Sequence, residues 1–83
     1  MARKLRNRFL YLVTEKERQI GRKIKYIEIA EATGVSQGVI SRWMNSNIER
    51  YDAPVVEALC DYFNCELWDL LYLEEIPDEQ KSD

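Results

Sequence analysis

Four neighbouring residues form a short polar face that could recognise a ligand by hydrogen bonding: Gln37, Gly38, Ser41 and Arg42. The arginine presents a planar fork of donors, and the glutamine presents an amide that both donates and accepts. The chain contains no histidine, no glycine-rich phosphate loop and no paired acid and base, so an enzyme is the least favoured class of protein. We therefore predict a recognition surface and no catalytic residue.

The segment that carries this face, Tyr26 to Asn45, predicts two short helices joined by a tight turn. In the first helix, Ala30 is small enough to let the second helix cross closely. Gly34 is expected to end the first helix, because glycine takes a left-handed conformation without a steric cost. Ser36 is expected to cap the second helix by accepting a backbone hydrogen bond. The buried stripe of the second helix is then Ile40, Trp43 and Met44.

This unit resembles the helix-turn-helix of lambda-repressor-like, Xre/Cro-type DNA-binding domains. The resemblance rests on Ile29, Ala30, Gly34, Val35, Ile40, Trp43 and the run SQGVISRW that starts at Ser36. More loosely, it extends from about Leu5 to Leu71. It implies an all-α fold, a compact five-helix bundle, whose recognition helix over residues 36–45 enters the major groove of double-stranded DNA.

The resemblance also gives the polar face its roles. Gln37 would read adenine through its amide, Arg42 would read guanine through its guanidinium, and Val39 would contact a thymine methyl group. Gly38 either lets the backbone approach the DNA closely or leaves one base unread; the cost of a helical glycine, about 1 kcal/mol relative to alanine, favours close approach. The residues expected to contact phosphate oxygens on the same basis are Tyr26, Ser36, Ser41 and Asn45.

The charges of the chain are separated along the sequence. The formal net charge is -3, but residues 1–50 hold eleven basic and five acidic residues, whereas residues 51–83 hold one basic and ten acidic. The basic half can face phosphate while the acidic half faces away from it. Overall charge therefore does not argue against a nucleic-acid partner.

Two clusters of cations lie in the basic half. Arg22, Lys23 and Lys25 precede the helix at Tyr26, where free N–H groups also attract anions, so a phosphate clamp and an ordinary solvated loop are equally favoured. The N-terminal cluster comprises Arg3, Lys4, Arg6 and Arg8, and predicts either an arm that contacts DNA or the charged start of the first helix. That first helix is expected from Leu5, with Leu5, Phe9, Leu12 and Val13 on one stripe, to a point between Arg18 and Ile20.

The acidic half predicts a fourth helix capped by Asp52 and closed by Asn64, then a short last helix over ELWDLLYL with Leu67, Leu70 and Leu71 inward. Apolar residues beyond those that the core needs are a candidate seam of a homodimer: Trp68, Tyr72, Leu73 and Ile76. The alternative for Trp68 is that it lies flat over its own core. We expect one domain over residues 1–76 and an acidic, disordered tail over 77–83.

Other partners are disfavoured by the sequence. Cys60 and Cys65 have neither redox nor zinc spacing and are expected to be small buried hydrophobes, and no metal or cofactor is predicted. No apolar run of membrane length and no signal-peptide pattern is found, so we expect no membrane partner and a cytoplasmic protein of bacterial or phage origin, on the nucleoid when bound to DNA. The favoured function is a transcriptional repressor that binds a palindromic operator as a homodimer. The alternative is an antitoxin-like or other protein-interaction module that uses the acidic C-terminal half.

Overall fold

Five helices and one pair of strands make up the described part of the chain. The computed structural model describes residues 2–46, 48 and 50–77. The elements are β1 (Ala2–Asn7), α1 (Phe9–Ile20), α2 (Tyr26–Thr33), α3 (Gln37–Met44), α4 (Ala53–Phe63), α5 (Leu67–Leu70) and β2 (Leu71–Ile76). The five predicted helices are confirmed. The all-α expectation is wrong, because β1 and β2 form a two-stranded sheet.

The core is apolar and draws on every helix. Its buried residues are Phe9, Val13, Ile24, Ile29, Val35, Ile40, Trp43, Leu59 and Leu70. The Phe9 ring packs edge-on against both Trp43 and Phe63, with centroid separations of 5.9 and 5.6 Å. Full burial of a side chain of this size contributes about 1.5–3 kcal/mol relative to exposure, so this cluster is the main support of the α2–α3 unit.

Gly34 and Asn64 end their helices as predicted, whereas the side chain of Asp52, the predicted cap of α4, makes no capping hydrogen bond. α1 ends at Ile20, and both Gly21 and Gly34 take the left-handed conformation with φ of 79°. Asn64 closes α4 with φ of 54°. After α3, the residue in the left-handed conformation is Ser46, with φ of 56°. The preceding residue, Asn45, has φ of -91°.

β1 and β2 join the two ends of the chain into an antiparallel ribbon. Residues 2–7 pair with residues 71–76 in a continuous register. Opposite charges that face each other across such a pair contribute roughly 0.2–1 kcal/mol. Two of the pairs are of this kind: Arg3 with Glu75 and Lys4 with Glu74.

The ribbon replaces the helical structure that periodicity predicts at both ends. α1 begins at Phe9 and not at Leu5, since the Oδ1 atom of Asn7 accepts the Phe9 N–H at 3.0 Å and turns the chain from strand to helix. The last helix stops at Leu70, and Leu67, predicted to point inward, is exposed. Local periodicity cannot detect a strand whose hydrogen-bonding partner lies at the other end of the sequence.

Cys60 and Cys65 close the C-terminal end of α4. The Cys65 N–H donates to the Cys60 carbonyl at 3.0 Å and the Asn64 N–H donates to the Asp61 carbonyl at 3.2 Å, which is a Schellman motif with both cysteines at its apolar contact. Both thiols are free and half-buried. Burial raises the pKa of Cys65 to about 11. The two residues therefore serve as small hydrophobic side chains, though less deeply buried than expected.

Neither a membrane-spanning helix nor a cluster of metal ligands is found among the described residues. No helix there has the length and apolar character needed to cross a bilayer. No three Cys, Asp or Glu side chains in that part of the chain come together as metal ligands would. Residues 78–83 of the predicted tail lie outside the described residues, as do Met1, Asn47 and Glu49.

Candidate nucleic-acid interface

The recognition-helix candidate, α3, is capped and oriented as its sequence predicts. The Ser36 hydroxyl oxygen accepts the Val39 N–H at 3.3 Å and so satisfies one of the free donors of the first turn. Ile40 and Trp43 point into the core. The opposite face leaves Gln37, Gly38 and Arg42 exposed, while Val39 and Ser41 are half-buried. The exposed face can donate and accept hydrogen bonds, and the opposite face fixes α3 in the core.

Trp43 fixes α3 from two directions. Its ring meets Phe9 of α1 at 5.9 Å and Tyr51 of the α3–α4 loop at 5.2 Å, both edge-on. Each such pair contributes about 0.5–1.5 kcal/mol beyond its buried area. The Tyr51 hydroxyl lies 3.5 Å from the Asn7 amide nitrogen at the end of β1. The tilt of α3 is therefore set by α1 and by the loop that follows α3, as well as by α2.

The turn between α2 and α3 is closed by short-range hydrogen bonds. The Gly34 N–H donates to the Ala30 carbonyl at 2.8 Å. The Thr33 hydroxyl donates to the Ile29 carbonyl at 2.7 Å, and its oxygen accepts the Val35 N–H at 3.2 Å. Val35 is buried. These bonds leave the turn little freedom, so α2 and α3 keep a fixed mutual angle.

A carboxylate occupies the N-terminus of α2, the position of the candidate phosphate clamp. Glu28 Oε1 accepts the Lys25 N–H at 2.9 Å, and Glu28 Oε2 lies 3.0 Å from Arg22 Nη1. The Lys25 hydrogen bond first, and then Arg22, lower the pKa of Glu28. The same Arg22 nitrogen also donates to the Lys23 carbonyl at 2.9 Å. Arg22 is thus neutralised within the chain.

The two lysines of this loop remain open to solvent. Lys23 is 94% exposed, with its Nζ 3.9 Å from Glu17 Oε1, and Lys25 is exposed. Glu17 holds the loop through its other oxygen, which accepts the Ile24 N–H at 2.8 Å. Ile24 is buried and anchors the loop. The lysines therefore project from a fixed backbone at the start of α2.

Comparison with protein families shows which family the helix-turn-helix of this chain represents. Residues 17–76 match the model of the Cro/C1-type HTH DNA-binding domain. The chain belongs to this family. The Xre/Cro-type resemblance is thereby confirmed, and the chain is a DNA-binding domain of a class that is typically non-enzymatic. Comparison with curated proteins and with solved structures gave no significant match.

The family match covers the interface but not the whole fold. It includes α2 to α5 and β2, and it leaves β1 and the first two thirds of α1 outside. In this Cro/C1-type domain the base-reading residues are predicted on exposed or half-buried positions of α3. Their contact with DNA stays a prediction.

The phosphate-contact candidates differ in how free their polar groups are. Tyr26, Asn45, Lys23 and Lys25 are exposed. Ser36 uses its oxygen in the cap of α3 but keeps its hydroxyl hydrogen for donation. Ser41 is half-buried, and Arg22 is held by Glu28. Arg22 is therefore the least available cation of the predicted clamp.

Most of the N-terminal cations lie in a strand, so the expectation of a helix start is wrong, whereas their contact with DNA stays a prediction. Arg3, Lys4 and Arg6 belong to β1. Arg6 Nε lies 2.7 Å from Glu74 Oε1. Arg8 follows the strand, and its guanidinium carbon lies 4.2 Å from the centre of the Tyr72 ring. Cross-strand partners thus reduce the charge that this segment offers to DNA.

The four residues of the predicted dimer seam do not form one surface. Opposite residues in an antiparallel pair share a face and successive residues alternate, so Tyr72 and Ile76 lie on one face of the ribbon and Leu73 on the other. Trp68 is 71% exposed, which excludes the alternative in which it lies flat over its own core. It lines a groove with Arg8, Tyr11, Leu12, Cys65 and Asp69.

Three residues near the interface were missed by reasoning from the sequence. Glu28 neutralises Arg22, and its position three residues after Lys25 is a capping signal that could have revealed it. Tyr51 braces Trp43, for which the sequence carries no local signal. Arg50 is an exposed cation next to Tyr51 in the α3–α4 loop. Arg50 therefore lies on the same loop as Tyr51, which packs against Trp43 of α3.

Proposed function

We propose that this domain is a transcriptional repressor that binds a palindromic operator as a homodimer. The observation that carries the proposal is the two-sided character of α3. Ile40 and Trp43 are buried, while Gln37, Gly38 and Arg42 are exposed on the other side. A helix held in this way can enter the major groove without rearranging the core.

Base reading falls to Gln37 and Arg42. The Gln37 amide can form two hydrogen bonds with adenine, and the Arg42 guanidinium can form two with guanine O6 and N7. A good pair of this kind contributes about 1–3 kcal/mol of discrimination against the wrong base. Gly38 has no atom within 4 Å of the position that a Cβ would take, so the helix surface there is open to a close approach by DNA. Together these residues read a short half-site.

Phosphate contacts orient the domain on the duplex. Lys23 and Lys25 project into solvent from the loop at the start of α2. They carry no sequence information and supply the salt-dependent part of the affinity. The acidic residues of α4, α5 and β2 are expected to face away from the DNA, since their charge would be repelled by phosphate.

A dimer follows from the small number of bases that one helix can read. Two copies related by a two-fold axis place their recognition helices in successive major grooves, about 34 Å apart. The operator then has the same two-fold symmetry as the protein. A copy that binds across a promoter blocks access to it, which is the basis for proposing repression.

The test is selection of bound sequences from a random duplex pool. We expect a two-fold symmetric consensus whose half-sites are one helical turn apart, and reduced transcription when that sequence overlaps a promoter. An asymmetric or absent consensus would contradict the dimeric operator, and increased transcription would contradict repression. Failure to retard any duplex at low salt would overturn the proposal and favour the protein-interaction alternative.

A further inference from the structure

β2 has a free edge in the described part of the chain. β1 is the one strand paired with it there. The outer row of N–H and C=O groups of residues 71–76 therefore meets no further strand, and such a row is a template for pairing with another chain. The outer edge of β1 is free in the same sense.

One face of the ribbon carries an exposed pair of leucines. Leu5 lies directly opposite Leu73, and the two are 39% and 52% exposed. Leu71, two residues before Leu73 and on the same face, packs against the core. The apolar surface of the core is thus continued along the ribbon to Leu73, where no described residue buries it.

We propose that β2 pairs antiparallel with β2 of a second copy of this chain, with the two-fold axis passing through Leu73. In this register Leu73 faces Leu73 of the second copy, Tyr72 faces Glu74, and Leu71 faces Glu75. Directly opposite side chains share a face, so Leu5, Leu73 and their two counterparts form one row across four strands. The same segment supplies both sides of the contact, as a two-fold symmetric interface requires.

Charge disfavours pairing through the edge of β1 and through a neighbouring register of β2. The outer edge of β1 is cationic, and a two-fold axis through Leu5 would set Lys4 opposite Arg6 of the second copy. An axis through Glu74 would set that carboxylate against itself. Like charges directly opposite each other destabilise a strand pair. With the axis at Leu73, the strand residues 71–75 face one another without any like-charged pair.

The use of this contact rests on the proposed function, because a four-stranded sheet would fix two copies of α3 on one duplex. The pairing itself is tested without DNA. A chain that pairs through β2 but binds no duplex would defeat the proposed function and leave this inference standing. A chain that binds DNA but does not pair through β2 would do the reverse.

The register is tested by disulfide cross-linking of two single variants, Leu73→Cys and Glu75→Cys, with the native chain as the background control. Across the proposed axis the two Cα atoms at position 73 would be within the roughly 4.4–6.8 Å that a disulfide spans. The two residues at position 75 would be four positions apart along the strands, about 14 Å. We expect most of the Leu73→Cys chain to become a covalent dimer on oxidation, and the Glu75→Cys chain to stay at the background of the native protein. Equal cross-linking of the two variants, or none in either, would overturn the proposal.

The surface is tested by sedimentation of Leu73→Lys beside a matched control, Leu10→Lys. Leu10 is a similarly exposed leucine, at 56%, but lies on α1. At protein concentrations up to the millimolar range, we expect the native chain and Leu10→Lys to dimerise and Leu73→Lys to remain a monomer, because two lysines would meet on the axis. A dimeric Leu73→Lys would overturn the proposal. Should Leu73→Lys fail to fold, the cross-linking result decides alone.

Discussion

The substitution Glu28→Gln should strengthen the binding of non-specific DNA. In the native chain the Glu28 carboxylate holds Arg22, with oxygens 3.2 and 3.0 Å from Nη1, and also accepts the Lys25 N–H. Glutamine can still accept that N–H and so preserve the start of α2. It removes the negative charge that keeps Arg22 from a phosphate.

The expected size of the effect on stability follows from the solvent exposure of the Arg22–Glu28 ion pair. The Arg22 and Glu28 side chains are 60% and 38% exposed, and water screens an exposed ion pair so that it adds little to folding. The free energy of unfolding should therefore change little. If the freed Arg22 neutralises one more phosphate, the slope of the logarithm of affinity against the logarithm of salt should steepen by about 0.9.

The assay is a titration of random duplex DNA at several salt concentrations. The matched control is Glu31→Gln, which removes the same charge from an exposed position of α2 and leaves Arg22 paired. We expect the steeper slope in Glu28→Gln alone. Equal slopes in the two variants would refute the reasoning, because the effect would then be one of net charge and not of Arg22.

The lowered pKa of Glu28 adds a pH dependence with a defined sign. Its folded pKa lies below the ordinary value of 4.5, so its contribution to stability is fully present above that value and is lost as the pH falls through the folded pKa. The small difference in unfolding free energy between the native chain and Glu28→Gln, in favour of the native chain at neutral pH, should therefore shrink on acidification. A difference that grew at acid pH would contradict the assignment.

Three further predictions concern the scaffold. Gly34→Ala should cost about 1–2 kcal/mol in urea unfolding, because Gly34 has a φ of 79°. Gly38→Ala lies within a helix and should stabilise the fold by up to about 1 kcal/mol. Neither added Cβ meets an atom within 4 Å, so equal effects of the two substitutions would show that backbone conformation is not the cause. Trp43→Ala should cost about 3–5 kcal/mol in the same assay, and a loss below about 1 kcal/mol would mean that Trp43 does not support α3. Burial raises the pKa of Cys65 to about 11, so its alkylation should stay slow until the pH approaches that value, and rapid alkylation at neutral pH in the folded chain would contradict the burial of this thiol.

The helix-turn-helix was predictable because its determinants are local. Gly34 ends one helix and Ser36 caps the next through contacts within three or four residues. The buried stripe of Ile40 and Trp43 repeats at helical spacing. These signals act over one turn, so the sequence of the segment contains them all.

The ribbon was not predictable in the same way. Leu5 and Phe9 fit a helical stripe, and the decisive interaction for residues 2–7 is with residues 71–76 at the far end of the chain. The expectation that the four seam residues share one surface met the same difficulty. Four apolar residues near one terminus suggest one surface, but the alternation of a strand places Leu73 on the face opposite to Tyr72.

The left-handed residue after α3 shows how backbone demand can override residue preference. Asparagine takes this conformation more readily than serine, and the loop begins with Asn45. Ser46 nevertheless adopts it, with its N–H donating to the Trp43 carbonyl at 3.2 Å. The position in the turn, and not the side chain, decides which residue takes the left-handed conformation.

The most direct test of base reading by α3 compares the native chain with Arg42→Ala on the selected operator and on every single-base variant of it. Arg42 lies on the exposed face of α3 and makes no ion pair within the described residues. We predict that Arg42→Ala loses about 1–3 kcal/mol on the operator and loses its preference at one base position in each half-site. Equal weakening on all sequences together with a shallower salt dependence would mean that Arg42 contacts phosphate, and would contradict the account.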